Sequence, residues 1–71
     1  MSLDDAEQVH YGLRRISLPH REILTLFFLQ DLSVEEIADV VGIPFGTVKS
    51  RLYYAKRALR TVLEKEEQRH E

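Results

Sequence analysis

The chain has 71 residues, of which 44% are hydrophobic, and it contains no cysteine. This length suits one small domain with a modest core, and the lack of cysteine excludes a disulfide framework and a thiolate metal site. The net charge of −2 does not indicate nucleic-acid binding, but the charges are segregated. Between residues 40 and 63 every charged residue is basic: Lys49, Arg51, Lys56, Arg57 and Arg60. Charge alone fits a solvated helix as well as a DNA-binding face.

Membrane association is not expected. No apolar run approaches the roughly 18 residues of a membrane span, and the N-terminus has no basic region followed by an apolar run. The sequence therefore predicts a cytoplasmic protein.

The first two predicted helices cover residues 3–16 and 19–30. Ser2 is the expected N-cap of the first helix, whose buried positions recur at helical spacing: Leu3, Ala6, Val9, Leu13 and Ile16. The second helix opens at Pro19 and is apolar around much of its circumference, so we expect it to be mostly buried. At least one of Phe27 and Phe28 is expected in the core, and the alternative is that one of them lines a groove for a partner.

The third and fourth predicted helices cover residues 33–41 and 44–68. Ser33 and Glu36 form a capping box, Gly42 ends the third helix in the left-handed conformation, and Pro44 takes the first position of the fourth. The fourth helix carries a buried row: Val48, Leu52, Ala55, Leu59 and Val62. Two short helices joined by a tight turn are typical of a DNA-reading helix-turn-helix. The predicted fold is a single all-α, four-helix domain over residues 1–71.

A helical projection of the fourth helix places a set of polar residues away from the buried row. Lys49 can reach guanine acceptors, Ser50 can bond phosphates or base edges, and the free N–H groups near Gly46 can bind phosphate. Arg51 lies nearer the core boundary, where we expect it to pair with an acid of the third helix. The other candidates for DNA contact are Thr47, Tyr53, Tyr54, Arg57 and Arg60.

No catalytic constellation is present. The three histidines, His10, His20 and His70, fall on different predicted elements without a matching carboxylate or nucleophile, and the glycines are isolated. We therefore predict a binding module rather than an enzyme, with no cofactor and no metal.

Residues 32–59, LSVEEIADVVGIPFGTVKSRLYYAKRAL, resemble the fourth domain of bacterial sigma factors of the extracytoplasmic-function group. The phrase GIPFGTVKSRL is especially close to that group's pattern, and Leu18-Pro19 followed by Arg21-Glu22-Ile23-Leu24 matches its preceding helix. The resemblance covers residues 13 to about 63.

This resemblance implies binding of the −35 promoter element and of the β flap of RNA polymerase, with anti-sigma proteins as further partners. The flap surface would include residues 23–29. Thr47 and Arg51 match positions that hold the DNA backbone or the local fold. The base-reading positions match Lys49, Ser50, Tyr53 and Tyr54.

Two residues depart from the family pattern, since many members carry Arg in place of Phe27 and a basic residue in place of Tyr54. Roughly two fewer phosphate contacts would lower DNA affinity and flatten its salt dependence. An alternative function is therefore a sigma-like interaction module that captures an anti-sigma factor without binding promoter DNA. A third is the DNA-binding domain of a response regulator, in which His usually stands in place of Arg51.

Overall fold

The computed structural model describes residues 6–69, with side chains described for residues 6–65. Four α-helices and one π-helical segment form this part of the chain: α1 (Ala6–Leu13), α2 (Leu18–Leu24), the π segment (Thr25–Leu29), α3 (Val34–Val41) and α4 (Phe45–Arg69). No strand occurs in residues 6–69. The all-α fold with a helix-turn-helix is confirmed.

The core is built on one side of α4, against which the other helices pack. The predicted residues Val48, Leu52, Ala55 and Leu59 are all buried. Toward the end of the described side chains the buried residue is Leu63, whereas Val62 is only partly buried. The predicted row is therefore correct for three turns and shifted by one residue at its end.

Helix α1 contributes Val9 and Leu13 to this core, whereas Ala6 is exposed, contrary to the prediction. Gly12 lies directly against α4, because a Cβ atom there would collide with Cδ1 of Leu59. A residue with a Cβ atom at this position would therefore require the Leu59 side chain to shift. The predicted cap Ser2 and the predicted core residue Leu3 lie outside the described residues.

The prediction that the first helix continues to residue 16 is wrong, because α1 ends at Leu13. Nε of Arg21 donates a hydrogen bond to the Leu13 carbonyl (2.7 Å), and Nη2 donates to the Ile16 carbonyl (3.2 Å). A guanidinium at a helix C-terminus satisfies carbonyls that have no partner within the helix. Ile16 remains buried although it lies beyond the helix.

The second predicted helix divides into two parts. Helix α2 begins at Leu18 and contributes Ile23 and Leu24 to the core. The π segment contains no buried residue, so the expectation of a mostly buried helix is wrong there. Phe27 and Phe28 are both only partly buried and pack against the edge of the core.

Helix α3 is fixed at both ends by the predicted signals. The Ser33 hydroxyl accepts the Glu36 N–H (3.1 Å), and the Glu36 carboxylate accepts the Ser33 N–H (2.8 Å), completing the capping box. Gly42 has φ 79°, which is the left-handed conformation that ends a helix. Pro44 does not take the first helical position: it precedes α4, and its carbonyl accepts the N–H groups of Thr47 (3.0 Å) and Val48 (3.1 Å).

Candidate nucleic-acid interface

The candidate interface begins at an open N-terminal end of α4. A Cβ atom added at Gly46 would meet no heavy atom within 4 Å. The first N–H groups of a helix have no partner within it and carry the positive end of its dipole. An anion such as a phosphate can therefore approach this end closely.

The eight predicted DNA-binding residues all lie on α4. Thr47 is half-buried, and the other seven are exposed: Lys49, Ser50, Arg51, Tyr53, Tyr54, Arg57 and Arg60. They occupy the circumference left free by the buried row that contains Val48 and Leu52. The structure thus brings these residues together on one solvent-facing helix, and their contact with DNA stays a prediction.

Three cations of α4 lie over aromatic rings. The Lys49 ammonium is 5.7 Å from the Phe45 ring centroid, and the Arg57 guanidinium is 5.9 Å from that of Tyr53. The third is Lys56, whose ammonium is 4.5 Å from the centroid of Phe27. Such contacts favour a limited set of side-chain positions for the cation.

Two tyrosines form an aromatic pair on the exposed side of α4. The rings of Tyr53 and Tyr54 meet edge to face, with centroids 5.1 Å apart, and each side chain is 57% exposed. Large exposed rings with a hydroxyl tip can contact a thymine methyl group with the ring and a phosphate with the hydroxyl.

Arg51 does not form the ion pair that was expected of it. It is exposed and lines an apolar groove of about 520 Å³ together with Glu22 of α2. Among the described side chains Arg51 forms no ion pair with the α3 acids, of which Glu35 and Asp39 line a different cleft, beside Phe45. Arg51 is instead available to a ligand.

The groove beside Arg51 separates α2 from the exposed face of α4. Its apolar walls include Leu18, Ile23 and Leu26, and its α4 wall includes Ser50 and Tyr54. Three predicted DNA-binding residues therefore border an apolar surface as well as solvent.

Sequence reasoning assigned no role to Phe45 or Lys56. Phe45 is 47% exposed at the first turn of α4. Lys56 belongs to the acid-free stretch, but its contact with Phe27 depends on how the π segment packs against α4. The run of basic residues was the available signal for Lys56.

No cluster of three or more His, Cys, Asp or Glu side chains within the described residues could hold a metal ion. Between residues 6 and 69, no helix is both long enough and apolar enough to cross a membrane.

Comparison with known proteins gives one consistent result. Residues 7–59 match the family model described as sigma-70, region 4. The chain is 39% identical to the RNA polymerase sigma factor SigV of Bacillus subtilis, over 83% of the chain and 36% of that protein. It is 43% identical to the ECF RNA polymerase sigma factor SigL of Mycobacterium tuberculosis, over 75% of the chain and 30% of that protein.

A further relative is the ECF RNA polymerase sigma factor SigW of Bacillus subtilis, which is 30% identical over 89% of the chain and 34% of that protein. The chain therefore spans about a third of the length of these curated relatives. The matched region includes α1 through most of α4, and thus the whole helix-turn-helix.

Proposed function

The chain belongs to the sigma-70 region 4 family, and from that premise we propose that it recognises the −35 promoter element for a sigma factor of the extracytoplasmic-function group. The observation that carries this proposal is the solvent-facing side of α4, where seven of eight candidate residues are exposed and no acid occurs between residues 45 and 63. An α-helix of this kind fits the major groove of B-DNA.

The first three turns of α4 read the bases. Lys49 donates to guanine acceptors, Ser50 reaches a base edge or phosphate, and Tyr53 and Tyr54 contact thymine methyl groups or phosphates. These residues follow directly on the open end at Gly46, where no side chain obstructs the approach of the helix to DNA.

A second set of residues positions the helix on the DNA backbone. Arg57 and Arg60 lie three or more turns from the helix start and contact phosphates, as do Thr47 and Arg51 at the flank. Phosphate contacts fix the register of a protein on DNA without reading sequence.

The same domain binds RNA polymerase in this proposal. Its flap-binding surface includes residues 23–29, whose described side chains form the end of α2 and the partly buried π segment. The relatives are named RNA polymerase sigma factors, and the chain spans about a third of their length. Promoter opening therefore requires parts of a sigma factor beyond the matched region. In this proposal the protein acts in the cytoplasm.

Selection from random duplex DNA at low salt tests the proposal. The purified chain is expected to enrich one short motif, and its affinity for that motif is expected to fall steeply as salt is raised. Lys49→Ala should weaken binding to the motif by about 1–3 kcal/mol and relax the preference at one position. Lys65→Ala is the matched control, because Lys65 is an exposed lysine near the far end of the same helix.

The apolar groove supports a second candidate function, which is capture of an anti-sigma protein without promoter binding. Leu18 and Tyr54, both of which line the groove, are 58% and 57% exposed. A folded chain that enriches no DNA motif but binds an anti-sigma protein would favour this function. Enrichment that Lys49→Ala leaves unchanged would instead contradict the assigned reading face.

A further inference from the structure

Lys56 differs from the predicted DNA-binding residues because its ammonium group contacts an aromatic ring of another element, the π segment. It is partly buried on α4, and its ammonium lies 4.5 Å from the centroid of the Phe27 ring, which belongs to the π segment. The Phe27 ring meets Phe28 edge to face, with centroids 5.1 Å apart and an interplanar angle of 83°. The lysine is therefore placed by an aromatic ring that is itself packed against a second ring.

The position of Lys56 along α4 matches that of other cations. Lys56 follows Lys49 by two helical turns, roughly 10 Å along the axis, and Arg60 follows about 6 Å later. At about 100° per residue these three residues fall within roughly 40° of one another around the helix. They form one row along one flank of α4.

A helix in the major groove has a phosphate backbone on each flank. The groove is about 12 Å wide and a helix with its side chains has a similar diameter, so flank residues beyond the N-terminal turns, which contact base edges, face phosphates. The row that contains Lys56 is thus placed to follow one DNA strand.

We propose that Lys56 is an additional phosphate contact of this domain and that Phe27 is its positioning residue. This inference rests on the proposed function and adds to the DNA interface a contact on the flank of α4 between Lys49 and Arg60. An ammonium has three N–H donors, and an aromatic face occupies only one side of it, so donors remain for a phosphate oxygen. The ring restricts the lysine before DNA arrives, which reduces the side-chain entropy lost on binding.

Salt titration of DNA binding separates this role from a structural one. Each phosphate contact adds about 0.9 to the slope of log affinity against log salt concentration. Lys56→Gln should reduce the slope by about 1 and weaken binding to all sequences alike. Between about 50 mM and about 200 mM salt, the advantage of the unmodified chain over this variant should shrink about threefold.

Two further lysine variants complete the comparison. Lys65→Gln makes the same charge change on the same helix and should keep the original slope, while Lys56→Arg keeps the cation and should also keep it. A Lys56→Gln variant whose slope and affinity equal those of Lys65→Gln would overturn the proposal.

The positioning role of Phe27 is tested with substitutions that keep or remove its aromatic ring. Phe27→Tyr keeps an aromatic face and should bind DNA as the unmodified chain does, whereas Phe27→Leu and Phe27→Met should lose affinity. In the Lys56→Gln background, Phe27→Leu should cause no further loss, because the side chain that the ring positions is gone. Equal losses in both backgrounds would show that Phe27 acts only through folding.

The outcomes also separate this inference from the proposed function. If the unmodified folded chain binds no DNA at any salt concentration, the proposed function fails and the inference fails with it. If it binds a selected motif and Lys49→Ala weakens that binding, but Lys56→Gln leaves the slope unchanged, only the inference is wrong. Thermal melting followed by circular dichroism confirms that each variant compared is folded.

Discussion

Two regions of the molecule are held in place by different kinds of contact. From Ser33 to Val48, the hydrogen bonds that cap α3 and start α4 join residues no more than five apart. From α1 to α2, the fixing contacts reach further: Arg21 bonds the carbonyl of Leu13, and Gly12 packs against Leu59. The helix-turn-helix is thus specified by residues close together in sequence. The arrangement of α1 and α2 instead depends on packing against α4 and on the Arg21 side chain.

The largest loss of stability is expected from a smaller side chain in the buried row of α4, because both regions pack against that helix. Leu52 is 4% exposed in the centre of the buried row. Leu52→Ala should lower the free energy of unfolding by about 2–5 kcal/mol, through lost apolar burial and a residual cavity. For a domain this small, that loss is a large part of the total stability.

Denaturant unfolding followed by circular dichroism measures the effect of Leu52→Ala. Tyr53→Leu is the control on the adjacent, exposed position and should change the free energy of unfolding by less than about 0.5 kcal/mol. A Leu52→Ala variant with the stability of the control would contradict the burial of Leu52 in the core beside α4.

The long-range contact of the first half is tested at Arg21. Arg21→Met removes the two hydrogen bonds to the carbonyls of Leu13 and Ile16 and keeps much of the side-chain volume. Hydrogen bonds from a charged donor contribute about 1.5–3 kcal/mol, so a loss in that range is expected by urea unfolding. Arg14→Met changes an exposed arginine and should have little effect. Equal stabilities of the two variants would show that Arg21 does not fix the end of α1.

The local contacts of the other region are tested at Ser33. Ser33→Ala breaks the capping box and should lower the free energy of unfolding by about 1 kcal/mol, or roughly 4–8 °C in Tm. Ser17 is the matched control, since it is the N-cap of α2 but makes no capping hydrogen bond with its side chain. Ser17→Ala should therefore leave Tm almost unchanged. If Ser17→Ala lowers Tm as much as Ser33→Ala does, the loss of stability in Ser33→Ala does not come from the capping box.

The same division explains how much the sequence could predict. Ser33 and Glu36 predict the start of α3 and Gly42 predicts its end, and both predictions are confirmed. The end of α1 was predicted three residues too late, because residues 14–16 continue a helical pattern and the side chain that terminates it lies on the next helix. The eight candidate residues were placed on α4 by periodicity and by resemblance. The ion pair expected of Arg51 is not formed, because a projection of one helix does not show where the side chains of a neighbouring helix lie.

The π segment could not be predicted from its composition. Its residues TLFFL are apolar and suit an ordinary buried helix, yet Gln30 N–H bonds the Thr25 carbonyl, five residues back, at 3.0 Å. Leu32 N–H then bonds the Leu26 carbonyl at 3.1 Å, one residue further than in the Schellman motif. This wider closure leaves Asp31 between the two regions with a positive φ of 57°.

The smallest expected change in stability is at Asp31, between the two regions, and the direction of the change is the test. Asp31→Gly removes the Cβ atom that disfavours the left-handed conformation, but it adds conformational entropy to the unfolded chain. A net stabilisation of about 0.5 kcal/mol is expected. Asp39→Gly makes the same chemical change inside α3 and should destabilise by up to about 1 kcal/mol. Paired thermal melts should therefore move in opposite directions. If both variants melt lower, the backbone at residue 31 does not limit stability, and the junction is fixed by its hydrogen bonds alone.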